Sequence, residues 1–314
     1  MMKWILGLVV ILLVVLGWMF FKPEPAADLR PASERPVPTS PYWSEDDHWV
    51  DADGMTFRVR EQGPQGAPVI VLIHGFSYSL ESFDAWAEDL AVDYRVVRFD
   101  LPGHALTGPD PQQRYSVRET VALTASLLDS LGHDDVVLVG NSLGGLVSWR
   151  LAAEQPELVS RLILLAPGGF SINGVTEDPV PVPAPVAFFM TSAPQAMVGA
   201  ASAGLFGDPT NMPAELPGRV HDLMRQPGVG QALVERLEVF TLPAPETDLA
   251  RVEADTLILW GELDRIVPPD HGPRFVDAMP SARLEVMPGL GHVVHEEAPE
   301  VSLERVRAFL EDQP

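Results

Sequence analysis

Three residues could cooperate as nucleophile, acid and base, and they occur in the chain order Ser142, Asp264, His292. Ser142 lies in Gly140-Asn141-Ser142-Leu143-Gly144, a G-x-S-x-G segment entered from the apolar run 136–139 and followed by helical spacing from Leu143 onward. So sharp a turn between strand and helix forces the serine into a strained backbone conformation, while the flanking glycines let strand and helix approach and lift the hydroxyl into the open. The helix N-terminus beneath it favours developing negative charge. The plain alternative is a glycine-rich turn with an N-cap serine. A serine hydroxyl is a weak nucleophile until a base takes its proton, and an imidazole base must itself be held in one tautomer by a carboxylate. His292 ends the segment Pro288-Gly289-Leu290-Gly291-His292 after the last apolar run and is the expected base. Asp264, in Gly261-Glu262-Leu263-Asp264-Arg265, is the expected acid, with Glu262 as competitor. Singly, a loop aspartate is more often a cap and a loop histidine a satisfied polar group; their joint occurrence after strand ends, in this order, carries the assignment.

These residues need a frame that presents strand ends side by side. Short runs rich in β-branched residues at 69–73, 96–99, 136–139, 162–165, 256–260 and 284–287 predict buried parallel strands, and 56–61 an antiparallel leading strand. Apolar residues recur at helical spacing over 82–90, 117–131, 143–154, 273–279 and 299–311. The alternation predicts an α/β fold, a mostly parallel sheet with helices on both faces. The 83 residues 168–250 interrupt this rhythm between two consecutive strands, so the core is expected to comprise 43–167 and 251–314 with 168–250 as a helical lid insertion. No side chain from 179 to 207 is charged, and Phe188, Phe189 and Met190 are expected to line a substrate pocket under that lid.

The chain has 314 residues, 46% hydrophobic and 21% charged, so disorder is excluded and the 31 prolines must gather in linkers or an irregular subdomain. A formal charge of −23 repels a phosphate backbone, which excludes nucleic acid as a partner. There are no cysteines, hence neither disulfides nor thiolate metal sites, and the histidines lack the spacing of a zinc cage, so no metal or cofactor is expected. Residues 4–21 are uncharged and almost wholly apolar, covering about 27 Å as a helix, between Lys3 and Lys22. They predict a transmembrane anchor over 1–21, with a cleaved signal peptide as the rival, and a catalytic domain on the extracytoplasmic side. Residues 22–42 carry six prolines and read as an extended tether, with an ordered arm lying on the domain as the alternative.

From about Trp49 to Phe309 the sequence resembles the α/β-hydrolase superfamily, in its serine-nucleophile branch. The resemblance rests on the Ser142 segment, on His74-Gly75-Phe76 after an early strand, and on Phe99-Asp100-Leu101-Pro102-Gly103-His104, where the family's following glycine is Ala105. It also rests on the acid-bearing stretch 260–268 and on His295-Glu296-Glu297-Ala298-Pro299 after the histidine, where both glutamates are expected as helix N-terminal acids. It implies that the backbone N–H groups of Phe76 and Leu143 form the oxyanion hole. It implies hydrolysis of a carboxylic ester with a small apolar acyl substrate as the broadest fit. The family's dehalogenases and epoxide hydrolases use aspartate where this chain has Ser142, whereas cofactor-free haloperoxidase-like members share its triad. Carbon–carbon bond hydrolases of ring-cleavage products keep the serine but commonly place tryptophan after the histidine, where this chain has Val293. A non-catalytic, membrane-tethered binding protein is the alternative from another class, opposed by the intact triad and glycines.

Overall fold

Pleating sends alternate residues of a strand to opposite faces, and a parallel sheet covered on both sides needs apolar residues at every position. The runs expected as strands meet that need. In the computed structural model, which describes residues 26–312, they build one eight-stranded sheet in the order β1-β2-β4-β3-β5-β6-β7-β8. The strands are β1 (Asp47–Ala52), β2 (Met55–Gln62), β3 (Val69–Ile73), β4 (Arg95–Phe99), β5 (Val136–Asn141), β6 (Val159–Leu165), β7 (Asp255–Gly261) and β8 (Ala282–Met287). From β4 to β8 neighbouring strands run parallel, and β1 and β2 close one edge antiparallel.

Two apolar layers follow from the alternation. Val71 and Ile73 share a face with Leu138, Leu162, Leu164 and Ile258, packed under α2 (Val117–Ser130), α3 (Leu143–Glu154) and α9 (His271–Ala278). Ile70 and Leu72 face the other way with Val139, Ile163 and Leu257, under α1 (Asp84–Leu90) and α11 (Pro299–Glu311). Strand order reverses between β3 and β5, and the crevice beyond the carboxyl ends at such a reversal is where open α/β sheets bind ligands.

β1 was not among the strands expected. Its polar residues pair in register with β2, Asp47 opposite Arg60 and Asp51 opposite Thr56, after a two-residue turn in which Asp53 and Gly54 both take positive φ. The carboxylate of Asp47 belongs to a buried ion cluster. Arg58, fully buried, donates to Asp47 (2.8 Å), Glu81 (2.6 Å), Asp100 (3.2 Å) and the carbonyl of Tyr42.

Residues 168–250 form a cap of five helices: α4 (Ala184–Ser192), α5 (Gln195–Ala203), α6 (Leu216–Met224), α7 (Val229–Val239) and α8 (Glu246–Leu249). Prolines precede or open the first turns of α4, α5, α6 and α8, where a missing N–H costs nothing. Arg225 donates to the carbonyls of Phe189, Met190 and Ala193, satisfying the C-terminal end of α4. Arg236 of α7, 1% exposed, reaches into the core and donates to the carbonyls of Tyr115 (2.9 Å) and Pro102 (2.8 Å) and to Thr120 Oγ1 (2.9 Å), latching cap to sheet.

The expected anchor, residues 1–21, and the first residues of the expected tether, 22–25, lie outside the described residues. Among the described residues no helix is long and apolar enough to cross a membrane. Residues 26–42 lie along the domain. The Arg35 guanidinium stacks 4.6 Å from the centroid of the Trp49 ring, whose Nε1 donates to the Pro36 carbonyl at 3.1 Å. Ala32 donates to Asp51, Thr56 Oγ1 donates to the Arg30 carbonyl, and Ala27 sits beside Gly228 at the start of α7.

Candidate active site

β5 runs straight into α3 through a single residue, Ser142, at φ 54° and ψ −112°. Such a conformation is costly for a residue with a side chain and persists only where surrounding structure enforces it. The glycines on either side show how tight the turn is. A Cβ at Gly140 would strike the carbonyl of Gly144, and one at Gly144 would strike the carbonyl of Ile73. Ser142 is therefore presented above the sheet, half-buried, with the first turn of α3 behind it.

The segment after β3 lies against it. A Cβ at Gly75 would sit 3.0 Å from Asn141 Oδ1 and 3.4 Å from Ser142 Cβ, so His74-Gly75-Phe76 passes directly beside the serine. His74 is locked by its two nitrogens: Nδ1 donates to the Gly75 carbonyl at 2.7 Å and Nε2 accepts from the Leu101 N–H at 2.9 Å. Burial lowers its pKa to about 4 and keeps it neutral, as that bonding requires. Leu143 is the first residue of α3, where a backbone N–H has no intrahelical acceptor to reach. Backbone thus approaches Ser142 from two sides, from Gly75 after β3 and from Leu143 at the start of α3.

Across the crevice, His292 Nδ1 donates to Asp264 Oδ2 at 2.8 Å, with both residues buried. The other oxygen of Asp264 accepts from the N–H groups of Ile266 (2.8 Å) and Val267 (3.0 Å), so the carboxylate cannot swing away. With Nδ1 carrying the proton, Nε2 is the free basic nitrogen. Glu262, the competitor for the acid's place, is exposed and accepts from the Gly289 N–H at 3.0 Å; it braces the loop after β8 and makes no contact of its own with the imidazole. The arrangement can move a proton from a hydroxyl through an imidazole and stabilise the imidazolium.

Two residues that sequence reasoning passed over hold this machinery. Asn141, the variable residue before the serine, donates through Nδ2 to the carbonyls of Leu165 (3.0 Å) and His292 (3.2 Å), tying nucleophile turn to base loop. Glu297, expected as a helix N-terminal acid, stands in the single turn of the short helix α10 (Val294–Glu297), and its carboxylate also accepts from the N–H groups of Gly291, Gly207 and Asp208. Glu296 points elsewhere, pairing with Arg219 of the cap. Burial raises its pKa to about 7 against the pull of that arginine.

The cap meets these loops through an apolar cluster that joins Met190, Phe206, Val220 and Leu233 to Tyr78, Val293 and the edge of Phe76. Met190 is buried there, Phe189 is partly buried and packs against the same cluster, and Phe188 is half exposed on the outer surface. Among the described residues no group of three or more His, Asp or Glu converges as a metal ion would require.

Comparison with known proteins places this geometry. Residues 70–305 match the family described as "Alpha/beta hydrolase family". The chain is 30% identical over 266 residues to the dihydrolipoyllysine-residue acetyltransferase component of the acetoin cleaving system of Pseudomonas putida, covering 83% of this chain and 68% of that protein. It is 27% identical over 260 residues to the 2-hydroxy-6-oxo-6-phenylhexa-2,4-dienoate hydrolase of Burkholderia cepacia, covering 77% and 88%. Among solved structures it superposes on a membrane phospholipase A, titled a bacterial virulence factor, with a TM-score of 0.70 and 25% identity over 99% of this chain and 98% of that one.

Proposed function

The chain belongs to the alpha/beta hydrolase family, and from that premise we propose that it is a membrane-anchored serine hydrolase cleaving an apolar carboxylic ester through Ser142, His292 and Asp264. The observation that carries the proposal is the 2.8 Å bond from His292 Nδ1 to a fixed Asp264, with His292 in a loop tied by Asn141 Nδ2 to the strained turn that holds the serine. Ser142 Oγ attacks the acyl carbonyl while its proton passes to His292 Nε2. The negative oxygen of the tetrahedral intermediate is met by the N–H groups of Phe76 and Leu143, donors that need no reorganisation. Collapse expels the alkoxide, which takes the proton from His292, and water then repeats the sequence to release the acid. Asp264 orients the imidazole and stabilises its charged form without taking the proton.

The apolar cluster around Met190 and Phe206, which packs against Phe76 and Val293 beside the candidate site, supports an apolar acyl group, and Phe188 at 50% exposed and Met197 at 46% extend that character to the outside. The likeness to a membrane phospholipase A along nearly the whole chain supports both the ester and the membrane. Residues 4–21 would supply the span, with the domain extracytoplasmic. Because Ala27 lies against Gly228, the anchor would enter the domain on the cap side and hold the cap toward the bilayer.

Carbon–carbon bond hydrolysis of a ring-cleavage diketone is the second reading, supported by the relative named for such a substrate. A fluorophosphonate probe is expected to label Ser142, and Ser142→Ala to remove both labelling and turnover, which separates an enzyme from a binding protein. A panel of p-nitrophenyl esters beside a vinylogous diketone then decides between the two reactions. Persistent esterase activity in Ser142→Ala would end the assignment, and Glu262→Gln proving more damaging than Asp264→Asn would move the acid.

A further inference from the structure

The backbone around His292 is gripped at three points, and each grip comes from a different part of the molecule. The His292 N–H donates to the carbonyl of Leu205 in the cap at 2.7 Å. Its carbonyl accepts from Asn141 Nδ2 at 3.2 Å. The N–H of the preceding residue, Gly291, donates to Glu297 Oε2 at 2.7 Å. Glu297 does more than hold this loop. The same Oε2 accepts from the Gly207 N–H at 2.9 Å, and Oε1 from the Asp208 N–H at 2.9 Å, both in the cap segment that follows α5. The two backbones are so close that a Cβ at Gly291 would collide with the carbonyl of Leu205 and one at Gly207 with that of Gly289.

We propose that Glu297 is a positioning residue for His292: by accepting from Gly291, Gly207 and Asp208 at once, its carboxylate fuses the base loop to cap residues 205–208, so that the cap sets where the imidazole stands. The inference rests on the Ser142–His292–Asp264 reading above. Side-chain chemistry makes it specific to a carboxylate. Three N–H donors converge on it, and only an ionised acid offers two oxygens with no donor of its own. Glutamine in the same place must aim its NH₂ at one or two of these N–H groups. The site is buried, so the lost acceptor is not replaced by solvent without cost. Asp264 controls the tautomer and tilt of the ring; Glu297 controls the position of the Cα that carries it.

The test compares wild type, Glu297→Gln and Glu297→Ala, with Glu300→Gln on the exposed first turn of α11 as control. The substrate is p-nitrophenyl butyrate, and rates are normalised to fluorophosphonate-labelled Ser142. A displacement of roughly 1 Å at the base can cost ~100-fold. Glu297→Ala is therefore expected to lose about 100-fold in kcat and Glu297→Gln about 10-fold, with KM changed less than about threefold and the pH profile of kcat displaced in both. Glu300→Gln should match wild type. A role confined to stability would lower the denaturation midpoint and leave kcat per labelled serine and the pH profile as they are. Where Glu297→Ala does not fold, Glu297→Gln decides alone: kcat within twofold of wild type and a superimposable pH profile overturn the proposal. Failure of the wild type itself to label would instead overturn the hydrolase reading.

Discussion

Replacing Glu296 by glutamine is expected to raise stability slightly at pH 5 and far more at pH 8. The Glu296 side chain is 5% exposed and its partner Arg219 12% exposed. Burial raises the carboxyl pKa from 4.5 to about 7, against the arginine's opposing charge and hydrogen bond and with help from Asp84 and Glu215. An acid whose pKa is higher in the folded than in the unfolded state binds more protons when folded. Its stabilisation is full below the unfolded pKa and is lost as pH rises through the folded one. Between pH 5 and pH 8 a shift of this size removes about 2–3 kcal/mol, with no discount for solvent because the group is buried. Glutamine imitates the protonated acid at every pH. The variant should therefore exceed wild type by about 1 kcal/mol at pH 5 and by about 3–4 kcal/mol at pH 8, where wild type must bury an ionised carboxylate. Urea denaturation followed by tryptophan fluorescence at pH 5, 6, 7 and 8 measures this, and the difference between the two proteins cancels the titration of other groups. A variant less stable than wild type at pH 8, by a margin that grows with pH, would refute the reasoning. It would mean that the Arg219 pair outweighs desolvation and holds the carboxyl ionised.

Arg236→Met should lower stability by about 2–4 kcal/mol, because it strips partners from two buried carbonyls and the Thr120 hydroxyl, and should raise KM more than it lowers kcat as the cap loses its latch; denaturation and steady-state kinetics read both. The whole chain should fractionate with membranes and a chain beginning at residue 26 should not. A chain beginning at residue 43 should in addition lose about 2–3 kcal/mol by urea denaturation, since it lacks Arg35 on Trp49 and the Tyr42 carbonyl that accepts from the buried Arg58 and Arg60.

Elements whose burial is imposed by strand neighbours on both sides were legible. β3 and β5 read as unbroken apolar runs because both faces are covered, and α3 was placed because the glycines at 140 and 144 leave little other use for that turn. β1 was not legible from hydrophobic pattern, since Asp47 and Asp51 point their carboxylates at Arg58, Arg60, Thr56 and the arm, and its place is set by ion pairing rather than by apolar burial. The turn Asp53-Gly54, with both residues at positive φ, was the available signal. Two cap helices resisted for the opposite reason. α4 and α5 are apolar or small around their circumference, so no face contrasts with another and periodicity has nothing to detect. The course of residues 26–42 depends on Trp49, Asp51 and Thr56, which are distant in sequence, and proline content alone does not distinguish a free extended chain from a docked one.

The candidate site divides along the same line. Ser142, Asp264 and His292 could be proposed together from sequence because each follows a strand end, where topology places the crevice, and because a nucleophile, an acid and a base have few interchangeable side chains. What holds them in place is written mostly in backbone groups, which every residue type possesses. The His292 N–H finds the carbonyl of Leu205, its own carbonyl finds Asn141, and Glu297 collects three main-chain N–H groups. A glutamate in His295-Glu296-Glu297 reads equally well as a helix acid, and nothing local separates the one that pairs with Arg219 from the one that braces Gly291. The difference arises only once the cap is laid over the sheet and brings residues 205–208 beside the base loop. Cap residues 205–208 and the loop that carries His292 are therefore held by one set of hydrogen bonds. A change of cap sequence made to alter the substrate should be judged by whether it preserves the N–H groups of Gly207 and Asp208 as well as by the pocket it shapes.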